Sequence, residues 1–183
     1  LRFGLAYDGA NSWQNRKLLC AEILKLYPPT FIGVQESNHF QTRFLIQNLK
    51  DHEFIGWYNK SREQWQSNLI FYHNTWECLK AKHYFLSTTP DVESTLPGSK
   101  WPGSKTHAFF LAHGFFDAFE NNHSTTFHNF TGEATRDHID WILYRGNIKI
   151  IRRKIITDSF SGRYPSDHYP VMAVFQESCD LHF

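Results

Sequence analysis

Apolar and polar positions repeat with a helical period and a strand period in alternation through the first half of the chain. Residues 2–7 have the pattern of a short strand, and a helix is predicted to begin after Asn11 or Ser12 and to end before a Pro-Pro pair. A buried strand is expected at residues 30–35, after which Asn38 can cap a second helix. The two helices are predicted to bury the apolar residues Leu18, Leu19, Ile23, Leu26 and Tyr27 in the first and Phe40, Phe44, Leu45 and Leu49 in the second.

The rest of the chain is predicted to be mainly β-structure. Residues 87–106 are rich in Ser, Thr, Pro and Gly, which predicts a long surface loop. No linker-like change in composition interrupts the sequence, so we predict a single domain over residues 1–183. The predicted strands lie at residues 53–58, 67–72, 76–86, 107–112, 138–145, 149–157 and 171–176.

The composition and net charge of the chain argue against several classes of protein. Hydrophobic residues make up 41% of the 183 residues and aromatic residues 17%, which predicts a globular protein rather than a disordered one. The formal charge of +1 argues against tight non-specific binding of nucleic acid. The three cysteines lack CxxC spacing, so neither a disulfide framework nor a cysteine zinc site is predicted. No apolar stretch approaches the ~20 residues of a membrane-spanning helix.

Three further sequence patterns could indicate a binding site, and each also has a structural explanation. The Pro-Gly-Ser-Lys repeat at residues 97–100 and 102–105 places Lys after Ser, the reverse of a phosphate-binding P-loop, and a strand-like run follows it. Five histidines between His107 and His138 lack the spacing of a zinc site. The basic run at residues 152–154 interrupts a β-branched segment, where a solvated strand face and a phosphate-contact patch are both open interpretations.

Four acidic or histidine residues at predicted strand ends carry the strongest chemical signal. A hard divalent cation prefers carboxylate oxygen, which Glu36 and Asp167 can supply. A catalytic histidine needs a carboxylate partner that fixes its tautomer and supports its imidazolium form, and Asp140 can be that partner for His168. These residue types, in this order, are typical of metal-assisted hydrolysis.

The segments around these residues resemble the endonuclease/exonuclease/phosphatase family, whose fold is similar to that of pancreatic deoxyribonuclease and of abasic-site endonucleases. The resemblance spans nearly the whole chain, and two of the segments are most similar to a broadly distributed branch of the family. The matching segments are NSWQNRK at residues 11–17, FIGVQE at 31–36, NLIFY at 68–72, FLSTTPD at 85–91, TFHNF at 126–130, HIDWI at 138–142 and DSFSGRYPSDHYPV at 158–171.

The resemblance implies an α/β fold, an incomplete four-layer α/β/β/α sandwich of two mixed sheets. It implies that Glu36 is a ligand of Mg²⁺ or Mn²⁺ and that Asp167 lies at the metal and at the nucleophilic water. His168, oriented by Asp140, would contact the scissile phosphate. The implied function is metal-dependent phosphoesterase or phosphodiesterase activity of the nuclease-like type. Its substrate is a phosphoester, with nucleic acids, phosphorylated lipids and small phosphoesters all open.

Two departures from the family pattern predict impaired catalysis. The family's first strand ends in a T-x-N motif whose Asn reaches the active site, whereas this chain has Phe3-Gly4. A strand, helix and strand running from N-T-H to G-D-F-N, at least ~30 residues, have no counterpart, and the predicted junction is Phe110/Leu111. The missing Asp and Asn would orient the nucleophile and hold the phosphate. The alternatives to an impaired hydrolase are therefore a catalytically inactive remnant or binding module, and the truncated product of a longer active hydrolase.

Overall fold

The computed structural model describes residues 1–56, 66–82, 104–121, 124–133 and 138–178. The chain forms two compact units, one of Leu1–Ser94 with Asp158–Asp167 and the other of Thr95–Thr157 with His168–Phe183. Helices and small antiparallel sheets make it an α/β protein, and each unit is described by itself. The elements in chain order are a 3-10 turn (Gly9–Asn11), α1 (Trp13–Leu26), β1 (Phe31–Ser37), α2 (His39–Asn48), β2 (His52–Ile55), β3 (Ser67–His73), α3 (Lys105–Ala112), β4 (Phe116–Asp117), β5 (Leu143–Tyr144), β6 (Ile148–Ile155) and β7 (Val171–Glu177).

The first unit is built on an antiparallel sheet of three strands in the order β1-β3-β2. Asn38 caps α2 and forms a capping box with Gln41, as its position before the apolar run predicted. The ring of Trp13 in α1 meets that of Phe44 in α2 edge-on at 5.4 Å. One buried apolar cluster joins the sheet to α2, and its members are Val34, Leu45, Leu49, Leu69 and Phe71.

Helix α1 confirms the predicted element, and its predicted buried face is confirmed at Ile23 but wrong at two leucines. Leu18 and Leu26 were expected in the core and are 66% and 57% exposed. The buried face instead follows the spacing three, four, three, which is a helical period. That stripe includes Ile23, as predicted, but also an arginine, which a selection by apolar residues alone does not find. The residues of the buried stripe are Trp13, Arg16, Cys20 and Ile23.

The first residues of the chain correct another prediction. Residues 2–7 form no strand, because the chain turns where the amide of Ala6 donates to the carbonyl of Phe3 at 3.2 Å. The strand predicted at residues 76–86 is also absent over residues 76–82, and its remainder lies outside the described residues. Most of the loop predicted at 87–106 lies outside them too.

In the second unit, residues 107–112 belong to helix α3 rather than to a strand. Ser104 begins the helix by accepting a hydrogen bond from the amide of His107. Gly114, with φ of +78°, ends it, and its amide donates to Leu111 while that of Phe115 donates to Phe110. The Phe110 and Phe115 rings also meet at 5.3 Å, which completes a Schellman motif. The predicted junction at Phe110/Leu111 thus falls in the last turn of a helix.

Two antiparallel pairs, β4 with β5 and β6 with β7, complete the described sheets of the second unit. The basic run lies on β6, where Arg152 and Arg153 are exposed and Arg153 donates to the carbonyl of Ala118 at 3.0 Å. Every strand pairing among the described residues is antiparallel, and the four-layer sandwich of mixed sheets stays a prediction. None of the described helices is long and apolar enough to cross a membrane.

Candidate active site

Glu36 lies in an irregular part of β1, where the register with β3 shifts between Val34 and Ser37. Its backbone has a φ of +57°, in the left-handed region that glycine favours. The side chain is held in place, because Oε2 accepts a hydrogen bond from the amide of Phe3 at 3.2 Å. A bulge that re-aims a side chain and a strained backbone are both common next to functional sites.

The strained backbone at position 36 should affect the stability of variants at this position. We expect Glu36→Gly to be more stable than Glu36→Ala by about 1 kcal/mol. The Cβ of alanine is strained in the left-handed backbone conformation, and glycine has no Cβ. Urea unfolding of the two variants measures the difference. Gln35, the preceding residue of β1, is the matched control, since there the alanine variant should be the more stable one. The same order at both positions would contradict the strain.

Asp167 is buried and belongs to the same unit as Glu36. Its Oδ1 accepts a hydrogen bond from the Ser166 hydroxyl at 3.1 Å, and its Oδ2 lies 3.9 Å from Nε of Arg2. Arg2 in turn donates to both carboxylate oxygens of Asp8, at 3.1 and 3.2 Å. The Asp8 hydrogen bonds raise the pKa of Arg2 above its ordinary value. Sequence reasoning missed both Arg2 and Asp8, because only the turn at residues 4–6 brings them together.

A buried arginine ties these segments together. Arg16 of α1 is 1% exposed, and its guanidinium donates to the carbonyls of Asn11, Pro165 and Arg2 at 3.1, 2.9 and 2.7 Å. It also lies over the ring of Trp13 at 5.1 Å. Burial lowers the pKa of Arg16. Arg16 therefore joins the carbonyl two residues before Asp167 to the backbone of Arg2.

Gly4 lies in the first segment of the chain, where the family's T-x-N motif has no counterpart, and its surroundings are closely packed. The amide of Gly4 donates to Oδ1 of Asn38 at 2.8 Å. A Cβ at Gly4 would lie only 2.6 Å from the Phe40 ring and 2.7 Å from the side chain of Gln41. These two side chains occupy the space that any larger residue at position 4 would need.

His168 and Asp140 form a hydrogen-bonded pair in the second unit. Nδ1 of His168 and Oδ2 of Asp140 are 2.7 Å apart, so the hydrogen bond predicted between the two motifs is present. The His168 side chain is 32% exposed, which leaves the ring accessible to a ligand. A carboxylate on one ring nitrogen fixes the tautomer and leaves the other nitrogen for chemistry. We refer to these two residues as the histidine pair.

Thr126, which is fully buried, positions the histidine pair. Its hydroxyl accepts hydrogen bonds from the amides of Ile139 and Asp140, at 3.1 and 3.2 Å. Its carbonyl accepts a hydrogen bond at 2.7 Å from the amide of Tyr169, the residue that follows His168. One threonine thus holds both motifs in register. The TFHNF segment carried the family resemblance, but nothing in the sequence assigned Thr126 this role.

The environment of Asp140 lowers its pKa. Burial alone would raise the pKa of this carboxyl, but the hydrogen bond and charge of His168 and a hydrogen bond from Thr126 outweigh burial. A carboxyl whose pKa is lower in the folded state stabilises the fold above its unfolded pKa. That contribution is lost as the pH falls through the lowered folded value.

We therefore expect Asp140→Asn to lower the free energy of unfolding at neutral pH. The loss relative to wild type should be smaller in acid. The difference in unfolding free energy between wild type and variant should shrink as the pH falls below about 5, where the carboxyl begins to take up a proton in the unfolded chain. Urea unfolding at a series of pH values measures it. Asp51→Asn, at an exposed aspartate, is the control that should show no such change. A difference independent of pH would count against the ionic pairing.

A second histidine–carboxylate pair was not predicted. Nε2 of His107 and Oδ2 of Asp117 are 3.0 Å apart, with side chains only 8% and 3% exposed. Asp117 also accepts from the amide of Phe119 at 2.8 Å. The His107 ring meets that of Trp141 edge-on at 4.9 Å. This pair is enclosed and satisfied, which indicates that it fastens α3 to β4 rather than meeting a substrate.

Glu36 and Asp167 offer only carboxylate oxygen to a metal, the donor that Mg²⁺ and Mn²⁺ prefer. We call these two residues the carboxylate pair. Both contact the dipeptide Arg2-Phe3. In the part of the chain that the structure describes, no three side chains of His, Cys, Asp or Glu are grouped to hold a metal ion. Mg²⁺ is commonly held by one or two carboxylates, with water and phosphate completing its shell, so the donor set fits this cation.

Comparison with known proteins rests on structure. No protein-family model and no curated protein sequence matches the chain. An endonuclease/exonuclease/phosphatase family protein from Bacteroides thetaiotaomicron matches with a TM-score of 0.85 and 18% identity, covering 100% of this chain and 94% of that one. A mannosyl-6-phosphatase from the same species gives 0.82 and 18%, over 96% and 97%. D. rerio TDP2, complexed with a single-stranded DNA product, gives 0.63 and 14%, over 88% and 91%.

The chain has the fold of the endonuclease/exonuclease/phosphatase family. This deoxyribonuclease-I-like fold confirms the resemblance carried by the sequence motifs. At identities of 14 to 18% the likeness concerns the fold, and the chemistry must be argued from the side chains of this chain.

Proposed function

We propose that this protein is a metal-dependent phosphoesterase of reduced activity. The observation that carries the proposal is the 2.7 Å contact between His168 and Asp140, in a chain whose fold is that of phosphoesterases. The strained Glu36 and the buried Asp167 support it, since both are carboxylates suited to Mg²⁺ or Mn²⁺.

Each residue has a separate task in this proposal. Glu36 and Asp167 would hold the divalent cation, which when bound neutralises negative charge on the phosphate oxygens. Asp167 also accepts a hydrogen bond from water and so orients the nucleophile. His168 contacts the scissile phosphate through its second ring nitrogen, and Asp140 holds the ring and stabilises its positive charge. Thr126 fixes the backbone of Asp140 and Tyr169.

Reduced activity follows from groups that this chain lacks. The T-x-N motif of the family's first strand has no counterpart at Phe3-Gly4, and the segment from N-T-H to G-D-F-N has no counterpart in the sequence. Loss of one group that stabilises the transition state typically costs roughly 10² to 10³ in rate. Several such losses compound without being additive. We therefore expect hydrolysis far slower than that of a complete site.

A second candidate function is supported by the packing around Gly4. Phe40 and Gln41 fill the space beside Gly4, so this region has no room for a larger side chain at position 4. A binding module that retains the fold and recognises a phosphoester without cleaving it would show this packing. The truncated product of a longer hydrolase would show the missing segment but gives no reason for the filled space.

Hydrolysis assays separate these functions and address the substrate class. The purified chain is incubated with Mg²⁺ or Mn²⁺ and three probes: a chromogenic phosphodiester, a sugar phosphate and a single-stranded DNA oligonucleotide. The second and third probes follow from the phosphatase and the DNA complex that share the fold. Slow turnover that EDTA abolishes supports the phosphoesterase. Saturable binding without turnover supports the binding module, and fast turnover would overturn the claim of reduced activity.

A further inference from the structure

In the first unit, a positively charged side chain, that of Arg2, lies beside the carboxylate pair. The Arg2 guanidinium is fixed by its two hydrogen bonds to Asp8, and its Nε lies 3.9 Å from Oδ2 of Asp167. That distance is an ion pair without a hydrogen bond. The next residue, Phe3, donates its amide to Glu36. One dipeptide therefore touches both carboxylates and places a positive charge against one of them.

We propose that Arg2 is an internal counter-ion that competes with the divalent cation for Asp167. This inference rests on the proposed metal site at Glu36 and Asp167. Asp8 uses both of its oxygens on Arg2, so it anchors the guanidinium independently of Asp167. The Arg2 side chain is 38% exposed, which leaves it room to turn away from Asp167 while it stays bound to Asp8.

Competition follows from the charges alone. Oδ1 of Asp167 is occupied by the Ser166 hydroxyl, and Oδ2 is the oxygen near the guanidinium. A cation that binds Oδ2 while the guanidinium is in this position would lie within a few ångströms of its positive charge and be repelled by it. Binding of the metal therefore requires the guanidinium to leave Asp167. The arginine neutralises Asp167 in the metal-free protein and weakens its affinity for the cation.

Direct measurement of Mn²⁺ binding tests this role without relying on activity. Electron paramagnetic resonance of free Mn²⁺ gives the dissociation constant of the whole chain. We expect Arg2→Gln to bind Mn²⁺ roughly tenfold more tightly than wild type, because a nearby like charge is removed. Arg2→Lys keeps the charge and should stay near the wild-type value. Arg43→Gln, at an exposed arginine of α2, makes the same change in net charge and should have little effect.

The outcomes separate this inference from the proposed function. Equal or weaker binding by Arg2→Gln, with an unchanged unfolding midpoint, overturns the competition. Should Arg2→Gln fail to fold, Arg2→Met, with an apolar side chain of similar length, takes its place. Absence of Mn²⁺ binding in every variant overturns both the metal site and the role of Arg2. Tighter binding by Arg2→Gln without turnover by any variant supports the competition and contradicts the phosphoesterase.

Discussion

Replacing His168 by alanine is expected to lower the rate of hydrolysis by roughly 10²-fold or more. The ring is accessible, and its other nitrogen is held by Asp140 at 2.7 Å, so it is the group best placed to contact a phosphoryl oxygen. A positioned acid or base of this kind contributes roughly 10² to 10⁴ in rate. Initial rates on a chromogenic phosphodiester with Mn²⁺ measure the loss. Asp140→Asn should retain part of the rate, because the ring remains but loses its charged partner.

The control for this experiment is a histidine in the same unit. His113 is exposed at the end of α3, and Nδ1 of its ring lies 2.7 Å from the carbonyl oxygen of Phe109, four residues earlier. His113→Ala should therefore keep the wild-type rate. A contaminating hydrolase would give equal rates in all of these proteins. Full activity in His168→Ala would remove the histidine pair from the proposed mechanism.

Replacing Arg16 by alanine is expected to have the largest effect on stability. The change removes three hydrogen bonds from a charged donor to buried carbonyls, together with the contact of the guanidinium over Trp13. Hydrogen bonds of this type are worth about 1.5–3 kcal/mol each, so we expect a loss of about 3–5 kcal/mol after partial relaxation. Urea unfolding followed by tryptophan fluorescence measures it.

Two further variants show whether this loss has the stated cause. Arg16→Lys can reach only part of the carbonyl set and should lie between wild type and alanine. Arg43→Ala removes an exposed arginine of the neighbouring helix and should change stability by less than about 0.5 kcal/mol. A small loss for Arg16→Ala would mean that water replaces the guanidinium without cost.

Local sequence signals predicted the elements whose ends are marked by capping residues. Ser12 and Asn38 begin α1 and α2 at the predicted positions. The same signals surround α3, with Ser104 before it and Gly114 after it, yet its apolar run was interpreted as a strand. Short apolar runs do not distinguish strand from helix by periodicity. The capping residues decide such cases, since they satisfy the backbone groups that a helix end leaves open.

The sequence by itself determined the fold family and the pairing of His168 with Asp140, because both depend on motifs of several residues. Only the tertiary structure revealed Arg2, Asp8, Arg16 and Thr126. Arg16 and Thr126 lie in the matching segments at residues 11–17 and 126–130, but the residue types do not show which backbone atoms their side chains bind. The turn at residues 4–6 brings Arg2 to Asp8, and Arg16 reaches a carbonyl 149 positions away. Such contacts are decided by how the chain packs, which local periodicity does not encode.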